Sequence, residues 1–467
     1  MIVMKFGGSS VADANRLRHV AAIVKTQMDR KPALVLSAMG DTTDHLLEAG
    51  SLALNEGKVN IKNVEKLHKE TIKTLKLPIQ KEISELFDEL TRLLSGIALI
   101  RELTPRTKDY LVSFGERLSV RIAAAYLKTL KMNAHAFDAW DIGFISDSNY
   151  TQAELTKESW DAISKIMQQQ IKGNVLPVVT GFLAKDAKGN ITTLGRGGSD
   201  LSATMIAAAC RAEEVQVWKD VDGILTADPR IVKNAKPVEN VTYDEAAELA
   251  YFGAQVLHPR AMQPCMKTGT SVLVKNSYNI DAPGTRIEQT LAAKKSPPVR
   301  AITSKHKVTL VDIVSTRMLG QHGFLAEVFS IFARYNISID MVATSEVSVS
   351  LTTETAFDLA EVKKELSRIA SVEIKTGKAI VSIIGNVKRS SEILARAFRI
   401  CQLIGVPVQM ISQGASKVNI SFIVDDTEAA EVVKSLHIDF FDALIFETPK
   451  SAAPSGAEVK KETVKKG

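Results

Sequence analysis

Three glycines, an arginine and an aspartate lie within six positions of one stretch of the chain. Gly195, Gly197 and Gly198 surround Arg196, and Asp200 follows in the segment TTLGRGGSDLSA. Glycine permits positive φ and close backbone approach, and the apolar run from Leu201 to Ala212 predicts a helix whose first N–H groups could face an anion. An arginine can bind a carboxylate or a phosphate through two N–H groups. The pattern fits an anion site, and it fits equally well a tight turn with an incidental charge.

A lysine beside two glycines is a second candidate for phosphate binding. Lys5 lies at the end of a predicted strand, and Gly7, Gly8 and a predicted helix follow it. A positive charge, a glycine turn and a helix N-terminus together suit a phosphate. The GxxxxGK[ST] pattern is absent from this stretch. Thr43 lies in a polar loop after the next predicted strand, where an α/β sheet places its ligand residues.

Glu116 follows a glycine inside a predicted helix. The helix is expected to begin with Thr104 as N-cap and Pro105 as its first residue. A mid-helix glycine costs about 1 kcal/mol relative to alanine, so we expect another part of the chain to pack against the backbone at Gly115. Spacing alone favours an exposed or arginine-paired carboxylate at Glu116.

The loop DVDGILTADPR brings three aspartates together after another predicted strand. Asp220, Asp222 and Asp228 could hold Mg²⁺, contact a ribose or form Asx turns. Turn chemistry alone explains most of this pattern. His258 is interpreted as a loop or N-cap residue, because no second histidine or cysteine lies at metal-ligand spacing.

The elements that must position these residues alternate between strands and helices. Short apolar strands precede the candidate loops, and residues from about 43 to 134 are mostly helical, with apolar residues repeating at three and four positions. This alternation predicts a mostly parallel sheet with helices on both faces. After the Ser296-Pro297-Pro298 boundary, two βαββαβ-like units follow, and the segments IDMVATSEVSVSL and VQMISQGASKVNISF indicate an internal repeat. The pair carries no charged catalytic cluster, which suggests a ligand-sensing or dimerising module.

Composition excludes several classes of protein. The chain has 467 residues, 45% of them hydrophobic and 24% charged, which suits two or three globular domains. Half of the formal net charge of +6 lies in a lysine-rich C-terminal segment, and no basic face with interleaved aromatic residues indicates nucleic-acid binding. No apolar run is long enough to span a bilayer. Three separated cysteines and the absence of a leader sequence predict a cytoplasmic protein with reduced thiols.

Six motifs occur in order over nearly the whole chain. They are KFGGSS (5–10), VLSAMGDTTD (35–44), SFGERLS (113–119), TTLGRGGSD (192–200), WKDVDGILTADPR (218–230) and AYFGAQVLHP (250–259). Together they resemble the aspartate kinases of the amino acid kinase family, in the monofunctional form with tandem ACT domains. The resemblance implies an α/β amino acid kinase fold followed by two ferredoxin-like ACT domains. It also implies transfer of the γ-phosphoryl group of ATP to the β-carboxylate of L-aspartate, with Mg²⁺ as cofactor, in the first step of lysine, threonine and methionine biosynthesis.

The resemblance assigns roles to individual residues. The implied catalytic residues are Lys5, Arg196 and Asp200, with Asp200 orienting Lys5. The implied substrate-binding residues are Thr43, Glu116, Arg196 and Ser199, of which Arg196 suits the α-carboxylate and Glu116 the ammonium group. The implied nucleotide-binding residues are Lys5, Gly7, Gly8, Lys219, Asp220, Leu225, Arg230 and Gln255. No metal ligand from the protein is implied, and no general base is expected, because a carboxylate with a reference pKa of about 3.9 is already ionised at neutral pH.

The first ACT repeat resembles a site for lysine as feedback inhibitor. The implied residues are Met318, Gly323, Phe324, Leu325, Asp340, Ser345 and Glu346. Asp340 or Glu346 could pair with the ammonium groups of lysine, and the segments HGFLAEVF and TSEVS favour lysine over threonine. The same residues could form an ACT dimer interface, which is compatible with an effector site. A homodimer or homotetramer is expected.

The expected boundaries place the kinase domain at 1–295, the regulatory domains at 296–447 and a disordered tail at 448–467. The first ACT repeat would cover about 312–378, and the second would combine about 299–311 with 379–447.

Four positions depart from the pattern of bacterial lysine-sensitive members. Lys219, Leu225 and Gln255 replace Thr, Tyr and Lys, and Gln321 replaces a common Ser. The combination of WKDVDG with YFGAQVLHP instead resembles plant-type aspartate kinases. Two alternatives stay open, namely a kinase for another amino acid and an amino-acid sensor whose kinase domain is weak or inactive.

Overall fold

The computed structural model describes residues 1–251, 257–290, 297–315, 322–385, 389–413 and 418–442. The strands are β1 Ile2–Phe6, β2 Pro32–Leu36, β3 Ala134–Phe137, β4 Ile145–Ser146, β5 Leu176–Thr180, β6 Leu183–Asp186, β7 Ile191–Thr193, β8 Glu214–Lys219, β9 Asn240–Thr242, β10 Ser271–Asn276, β11 Thr285–Glu288, β12 Val299–Val314, β13 Val342–Thr344, β14 Ser348–Glu354, β15 Ser371–Gly385, β16 Met410–Ser412 and β17 Asn419–Asp425. The helices are α1 Ala14–Lys25, α2 Thr42–Glu56, α3 Lys62–Thr74, α4 Lys81–Ile100, α5 Pro105–Thr129, α6 Glu158–Lys172, α7 Gly198–Cys210, α8 Tyr243–Tyr251, α9 Pro259–Thr268, α10 Phe324–Arg334, α11 Ala360–Leu366, α12 Ser390–Leu403 and α13 Ala429–His437.

The N-terminal part of the chain is built on an eight-stranded sheet with the order β3-β5-β2-β1-β8-β10-β11-β9. Only β10 and β11 pair antiparallel among these neighbours. Strand β1 is buried over its whole length, with Ile2, Met4 and Phe6 in one core and Val3 in the other. The mostly parallel, doubly covered sheet predicted from the alternation of elements is confirmed.

Helices on the two faces of this sheet bury the two cores. Residues of α1 to α5 pack on the side of Phe6, and residues of α6 to α9 pack on the side of Val3. The apolar face expected around residues 83–100 is the buried face of α4, with Ile83, Leu86, Phe87, Leu90, Leu94 and Ile97. The loops after β1, β2 and β8 meet at one edge of the sheet, because neighbouring parallel strands end there.

Helix α5 begins as its sequence predicts and approaches that edge closely. The Thr104 hydroxyl accepts a hydrogen bond from the Thr107 backbone N–H at 3.2 Å, and Pro105 is the first residue of the helix. A Cβ atom at Gly115 would lie 2.7 Å from the Cβ atom of Ala38. Only glycine therefore lets the loop after β2 contact the helix backbone, and the close packing expected at Gly115 is confirmed.

A six-stranded antiparallel sheet forms the C-terminal part, in the order β13-β14-β12-β15-β17-β16. The long strands β12 and β15 pair along the middle, and the hairpins β13–β14 and β16–β17 occupy opposite edges. Helices α10 and α11 pack on one half, and α12 and α13 pack on the other. This symmetry confirms the internal repeat.

One element boundary differs from the sequence prediction for an identifiable reason. Helix α7 begins at Gly198 rather than Leu201, because Gly197 at φ 72° already turns the chain into the helix. Strand β12 runs from Val299 to Val314 and pairs with β15 in both repeats. The predicted domain boundaries stay predictions, and the boundary at residue 295 and the tail 448–467 lie outside the described residues.

Polar contacts join the C-terminal sheet to the N-terminal part of the chain. The Ile302 backbone N–H donates to the Thr226 carbonyl at 2.8 Å, and the Thr226 hydroxyl lies 2.8 Å from Nε2 of His437. Arg300 and Glu245 form a buried ion pair at 3.4 Å. The C-terminal part is thus attached directly to the loop after β8 and to α8.

The remaining sequence expectations concern membranes and thiols. Across the described ranges, no helix is both long and apolar enough to cross a membrane. Cys210, Cys265 and Cys401 are free thiols, the last two buried and the first half-buried. Burial raises the pKa of Cys265 to about 12 and that of Cys210 to about 11, which makes both thiols poor nucleophiles.

Candidate active site

A buried ion pair joins the central strand β1 to helix α7. The Nζ atom of Lys5 lies 2.7 Å from Oδ1 of Asp200, and each side chain is 9% exposed. Asp200 lies in the first turn of α7, where the helix dipole also favours a negative charge. Burial would raise the pKa of Asp200, but the charges of Lys5 and Lys219 lower it below its ordinary value. The ionised Asp200 therefore holds the Lys5 ammonium in a fixed position.

A second lysine makes this edge of the sheet positively charged. Lys219 ends β8, which pairs with β1, and burial lowers its pKa while Asp200 opposes that shift and Lys5 adds to it. A Cβ atom at Gly7 would lie 3.7 Å from Nζ of Lys5, and one at Gly8 would lie 3.0 Å from the Ala38 carbonyl oxygen. Two lysines and one aspartate with an open backbone turn beside them fit an anion of high charge, such as a nucleotide phosphate.

Glu116 is buried in α5 and has one carboxylate oxygen to spare. Its Oε1 accepts a hydrogen bond from the Ala38 backbone N–H at 3.1 Å, and the residue is 4% exposed. Its Oε2 is buried and has no hydrogen-bond partner within the described ranges. The prediction of an exposed or arginine-paired carboxylate at Glu116 is therefore wrong. The close contact at Gly115 places this face of α5 under the loop after β2, which buries Glu116.

Burial also changes the acid strength of Glu116. It raises the pKa of the carboxyl group to about 8, although the hydrogen bond from Ala38 opposes the shift. An unsatisfied buried acceptor costs about 1–3 kcal/mol, and a cationic donor at Oε2 would remove that cost. Thr43, half-buried in the first turn of α2, belongs to the same loop–helix junction.

The Gly-rich stretch forms a tight loop before α7, as its sequence predicts. Gly195 and Gly197 both have φ 72°, and a Cβ atom at Gly197 would lie 2.8 Å from the Cβ atom of His258. Arg196, between them, is exposed and forms no ion pair with any residue that the structure describes. Ser199 lies in the first turn of α7. His258 caps α9 by accepting from the Arg260 backbone N–H at 3.3 Å, which confirms its interpretation as an N-cap residue.

The acidic loop after β8 divides into two parts. Asp220 is exposed beside Lys219, whereas Asp228 accepts from the Arg230 backbone N–H at 2.8 Å and binds its guanidinium group at 2.6 Å. The Asx turn expected at Asp228 is confirmed. Leu225 and Arg230 line a cavity of about 520 Å³ between this loop and β12. Gln255 lies outside the described residues, and within those residues no three side chains are grouped as metal ligands would be.

The carboxylate of Asp340, in the predicted effector site, already has partners. Its Oδ2 lies 2.8 Å from Nζ of Lys305, and its Oδ1 accepts from the Tyr251 hydroxyl at 2.9 Å. The Asp340 side chain is 3% exposed. Lys305 also lies 3.3 Å from Glu354. Because Tyr251 ends α8, this cluster is also a contact between the two halves of the chain.

The other predicted effector residues surround the start of α10 and the β13–β14 turn. Gly323 precedes α10 with φ 92°, and Phe324 and Leu325 are its first residues. The Ser345 hydroxyl lies 2.7 Å from that of Ser348, and Glu346 is exposed in the same turn. Met318 and Gln321 lie outside the described residues.

Sequence reasoning missed two features of these sites. Asp109 is buried on α5 and binds the strand that leads into the Gly-rich loop, and its spacing of seven residues from Glu116 could have indicated a shared helix face. Lys305 is the second feature, and no local pattern indicates its pairing with Asp340, because strands from different parts of the chain bring the two residues together.

The comparisons with known proteins agree on one family. The model of the amino acid kinase family matches residues 1–276, and that of the ACT domain matches residues 311–366 and 381–440. Aspartokinase 1, chloroplastic, from Arabidopsis thaliana is 51% identical over 94% of this chain and 80% of its own length. Lysine-sensitive aspartokinase 3 of Escherichia coli is 34% identical, over 95% and 99% of the two chains. The crystal structure of E. coli aspartokinase III with aspartate and ADP covers 94% of this chain and all of that one, with 34% identity and a TM-score of 0.78.

Proposed function

This chain belongs to the amino acid kinase family and, within it, to the aspartokinases, and on that premise we propose how its residues phosphorylate L-aspartate. The reaction transfers the γ-phosphoryl group of ATP to the β-carboxylate of the substrate. The observation that carries the assignment of residues is the buried, unpartnered Oε2 atom of Glu116. No general base is required, because the substrate carboxylate is already ionised and is itself the nucleophile.

Glu116 and Arg196 are proposed to hold the α-amino acid end of aspartate. The Oε2 atom of Glu116 accepts from the substrate ammonium group, which restores the hydrogen bond that the buried oxygen lacks. Arg196, which has no carboxylate partner among the described residues, binds the α-carboxylate through two N–H groups. Thr43 and Ser199 are proposed as further polar contacts from the first turns of α2 and α7. Because the ammonium and the α-carboxylate on Cα are both held, the β-carboxylate is oriented toward the phosphate.

Lys5 is proposed to stabilise the phosphoryl group during transfer. Its ammonium is fixed by Asp200 at 2.7 Å and lies beside the Gly7 backbone. A fixed positive charge stabilises the charge that develops on the phosphoryl oxygens without having to reorganise. Mg²⁺ is expected to be carried by the ATP phosphates, where it neutralises charge in the same way.

The nucleotide is proposed to lie across the loop after β8. Lys219 and Asp220 are at its start, near Lys5, and Leu225 and Arg230 line the cavity further along. For Arg230 to bind a nucleotide, it would have to share or exchange its contact with Asp228. Gln255 is retained as a proposed contact from the sequence resemblance alone.

Lysine is proposed as the feedback inhibitor, bound in the first ACT repeat at the residues from Gly323 to Leu325 and at Asp340, Ser345 and Glu346. An E. coli relative is named lysine-sensitive. In this chain Glu346 is exposed, whereas Asp340 binds Lys305, so an effector ammonium would have to replace Lys305 to reach Asp340. Assembly as a homodimer or homotetramer through the ACT domains remains a proposal. A cytoplasmic location is likewise a prediction, and a relative is named chloroplastic.

The experiment that tests the function uses hydroxylamine to trap the acyl phosphate formed from ATP, Mg²⁺ and L-aspartate. Hydroxamate formation that millimolar lysine suppresses supports both the kinase site and the effector site. Hydroxamate formed from L-glutamate but not from L-aspartate would favour a kinase for another amino acid. A folded protein that binds lysine and forms no hydroxamate would favour a sensor with an inactive kinase domain.

A further inference from the structure

Asp109 binds two parts of the chain that border the Gly-rich loop, namely the backbone at Thr151 and the end of strand β7. Its Oδ2 accepts from the backbone N–H groups of Thr151 at 2.9 Å and Thr193 at 3.0 Å. Its Oδ1 accepts from the Thr193 hydroxyl at 2.8 Å. The residue is 1% exposed. Burying a carboxylate is unfavourable unless it is hydrogen-bonded. The three hydrogen bonds from Thr151 and Thr193 therefore offset the cost of burying Asp109.

The segments that Asp109 binds converge on the Gly-rich loop. Thr193 is the last residue of β7, two positions before Gly195, and its carbonyl accepts from the Ala153 backbone N–H at 2.9 Å. A Cβ atom at Gly195 would lie 3.2 Å from the Thr151 carbonyl oxygen. The backbone at residue 151 therefore packs directly against the first residue of the loop that carries Arg196.

The backbone of Thr151 is itself strained. Its φ is 70°, in the left-handed region that a β-branched residue rarely adopts. Such conformations are unfavourable and persist only where the surroundings hold them. Asp109 accepts a hydrogen bond from the N–H of this residue, so one buried carboxylate holds both the strained turn and the strand that borders the loop.

Asp109 and Glu116 belong to the same rigid element. They are seven residues apart on α5, which is two helical turns, and so they share a face of the helix. Arg196 lies three residues after Thr193, between Gly195 and Gly197. These glycines have no side chains that could pack and hold the loop in place. The position of Arg196 relative to Glu116 therefore depends on how firmly the loop is attached to α5.

We propose that Asp109 is a positioning residue that sets the separation between Glu116 and Arg196, the two groups that hold the ammonium and α-carboxylate of the substrate. This inference rests on the proposed function. It goes beyond the proposed function because it makes recognition of the α-carboxylate by Arg196 depend on Asp109, a residue that does not touch the substrate. Misplacement by about 1 Å can cost about 100-fold in rate, so loosening this attachment should be visible in kinetics.

The test compares L-aspartate with L-aspartate α-amide, in which the α-carboxylate is replaced by a neutral amide. The wild type should prefer L-aspartate because Arg196 binds the carboxylate, and Arg196→Ala should lose that preference. Asp109→Ala should raise the KM for L-aspartate roughly tenfold or more, leave the KM for ATP within about twofold, and bring the preference close to that of Arg196→Ala. A defect confined to folding would lower kcat/KM for both substrates by the same factor.

Two further variants keep the test decisive. Asp109→Asn can still accept from both N–H groups and donate to the Thr193 hydroxyl, so it should restore most of the preference. Thr193→Val removes one of the three hydrogen bonds and should shift the preference in the same direction by a smaller factor, even if Asp109→Ala does not fold. An unchanged preference in Thr193→Val, or in a folded Asp109→Ala, overturns the positioning role. A wild type that forms no aspartyl hydroxamate overturns the proposed function and this role with it, and so the two failures are distinguishable.

Discussion

Two buried carboxylates, one in each half of the chain, are proposed to bind the ammonium group of an amino acid, and they differ in what already binds them. Glu116 in the kinase half has an Oε2 atom with no partner among the described residues. Asp340 in the regulatory half is bound by the Lys305 ammonium at 2.8 Å and the Tyr251 hydroxyl at 2.9 Å. The proposed substrate position is therefore open, whereas the proposed effector position is filled by groups of the protein.

This difference indicates how the two ligands would act. A substrate that binds Glu116 completes an existing arrangement, which requires little rearrangement of the protein. An effector that binds Asp340 must replace Lys305, and the replacement also changes a contact to Tyr251 at the end of α8. A ligand shifts a conformational equilibrium only when it interacts differently with the two states. The proposed exchange at Asp340 would provide such a difference directly between the two halves of the chain.

The largest expected effect separates the catalytic site from the effector site. Lys5→Ala removes the charge that Asp200 holds at 2.7 Å, and kcat should fall by about 100-fold to 1,000-fold. Thermal stabilisation by lysine should be unchanged, because the regulatory half keeps all its contacts. The exposed Lys25→Ala on α1 is the matched control, and equal losses in both variants would refute the role of Lys5.

The next effect tests the open carboxylate. Glu116→Gln removes the group that ionises to accept the ammonium of the substrate, and it should raise the KM for L-aspartate roughly tenfold to 100-fold, with a smaller change in kcat. Inhibition by lysine should keep its concentration dependence. Glu102→Gln, an exposed position just before α5, is the control. A KM for L-aspartate that does not change in Glu116→Gln would show that the ammonium group binds elsewhere.

The filled carboxylate is tested by removing the group that fills it. Lys305→Met leaves Asp340 with only the Tyr251 hydroxyl, so lysine no longer has to displace an ammonium group. Half-inhibition should then occur at a roughly tenfold lower lysine concentration, and the Tm without lysine should fall because a buried charge has lost its partner. Lysine should restore the Tm. The exposed Lys363→Met on α11 controls for loss of surface charge, and weaker inhibition in Lys305→Met would contradict the displacement.

The pH dependence of aspartate binding follows from the acidity of Glu116. Its pKa is raised to about 8 by burial, so in the free protein the carboxyl group is mostly protonated below that pH and mostly ionised above it. An ammonium ligand prefers the ionised form, and the KM for L-aspartate should therefore fall by at most about tenfold per pH unit from pH 6 to pH 8 and then level off. Glu116→Gln should show a flatter profile. A wild-type KM that rises over this range would be inconsistent with the assignment.

The same shift has the opposite consequence for stability. A carboxyl group whose pKa is higher in the folded state than in the unfolded state contributes stability that is fully present below about pH 4.5. That contribution is lost as the pH rises through about 8. Saturating L-aspartate should reduce the loss, because its ammonium group stabilises the ionised form.

Local sequence signals predicted the elements of the fold and the loops after β1, β2 and β8 that meet at one edge of the sheet. The Thr104 cap, the packing at Gly115 and the repeated ACT hairpins all depend on neighbouring residues or on a repeated pattern, and the structure confirms them. The burial of Glu116 was not predicted, since it depends on a loop some 78 positions away in the sequence. The pairing of Asp340 with Lys305 was not predicted either, because strand register rather than spacing brings them together.

Proton release on binding tests the central contrast most directly. Titration calorimetry of L-aspartate at pH 7, in two buffers with different ionisation enthalpies, measures the protons released per site. About one proton per site is expected for L-aspartate, because Glu116 must ionise to accept the ammonium group, and Glu116→Gln should release none. Lysine should release none, because it exchanges one ammonium group for another at Asp340. Aspartate binding to the wild type without proton release would contradict the assignment of Glu116 to the ammonium group of the substrate.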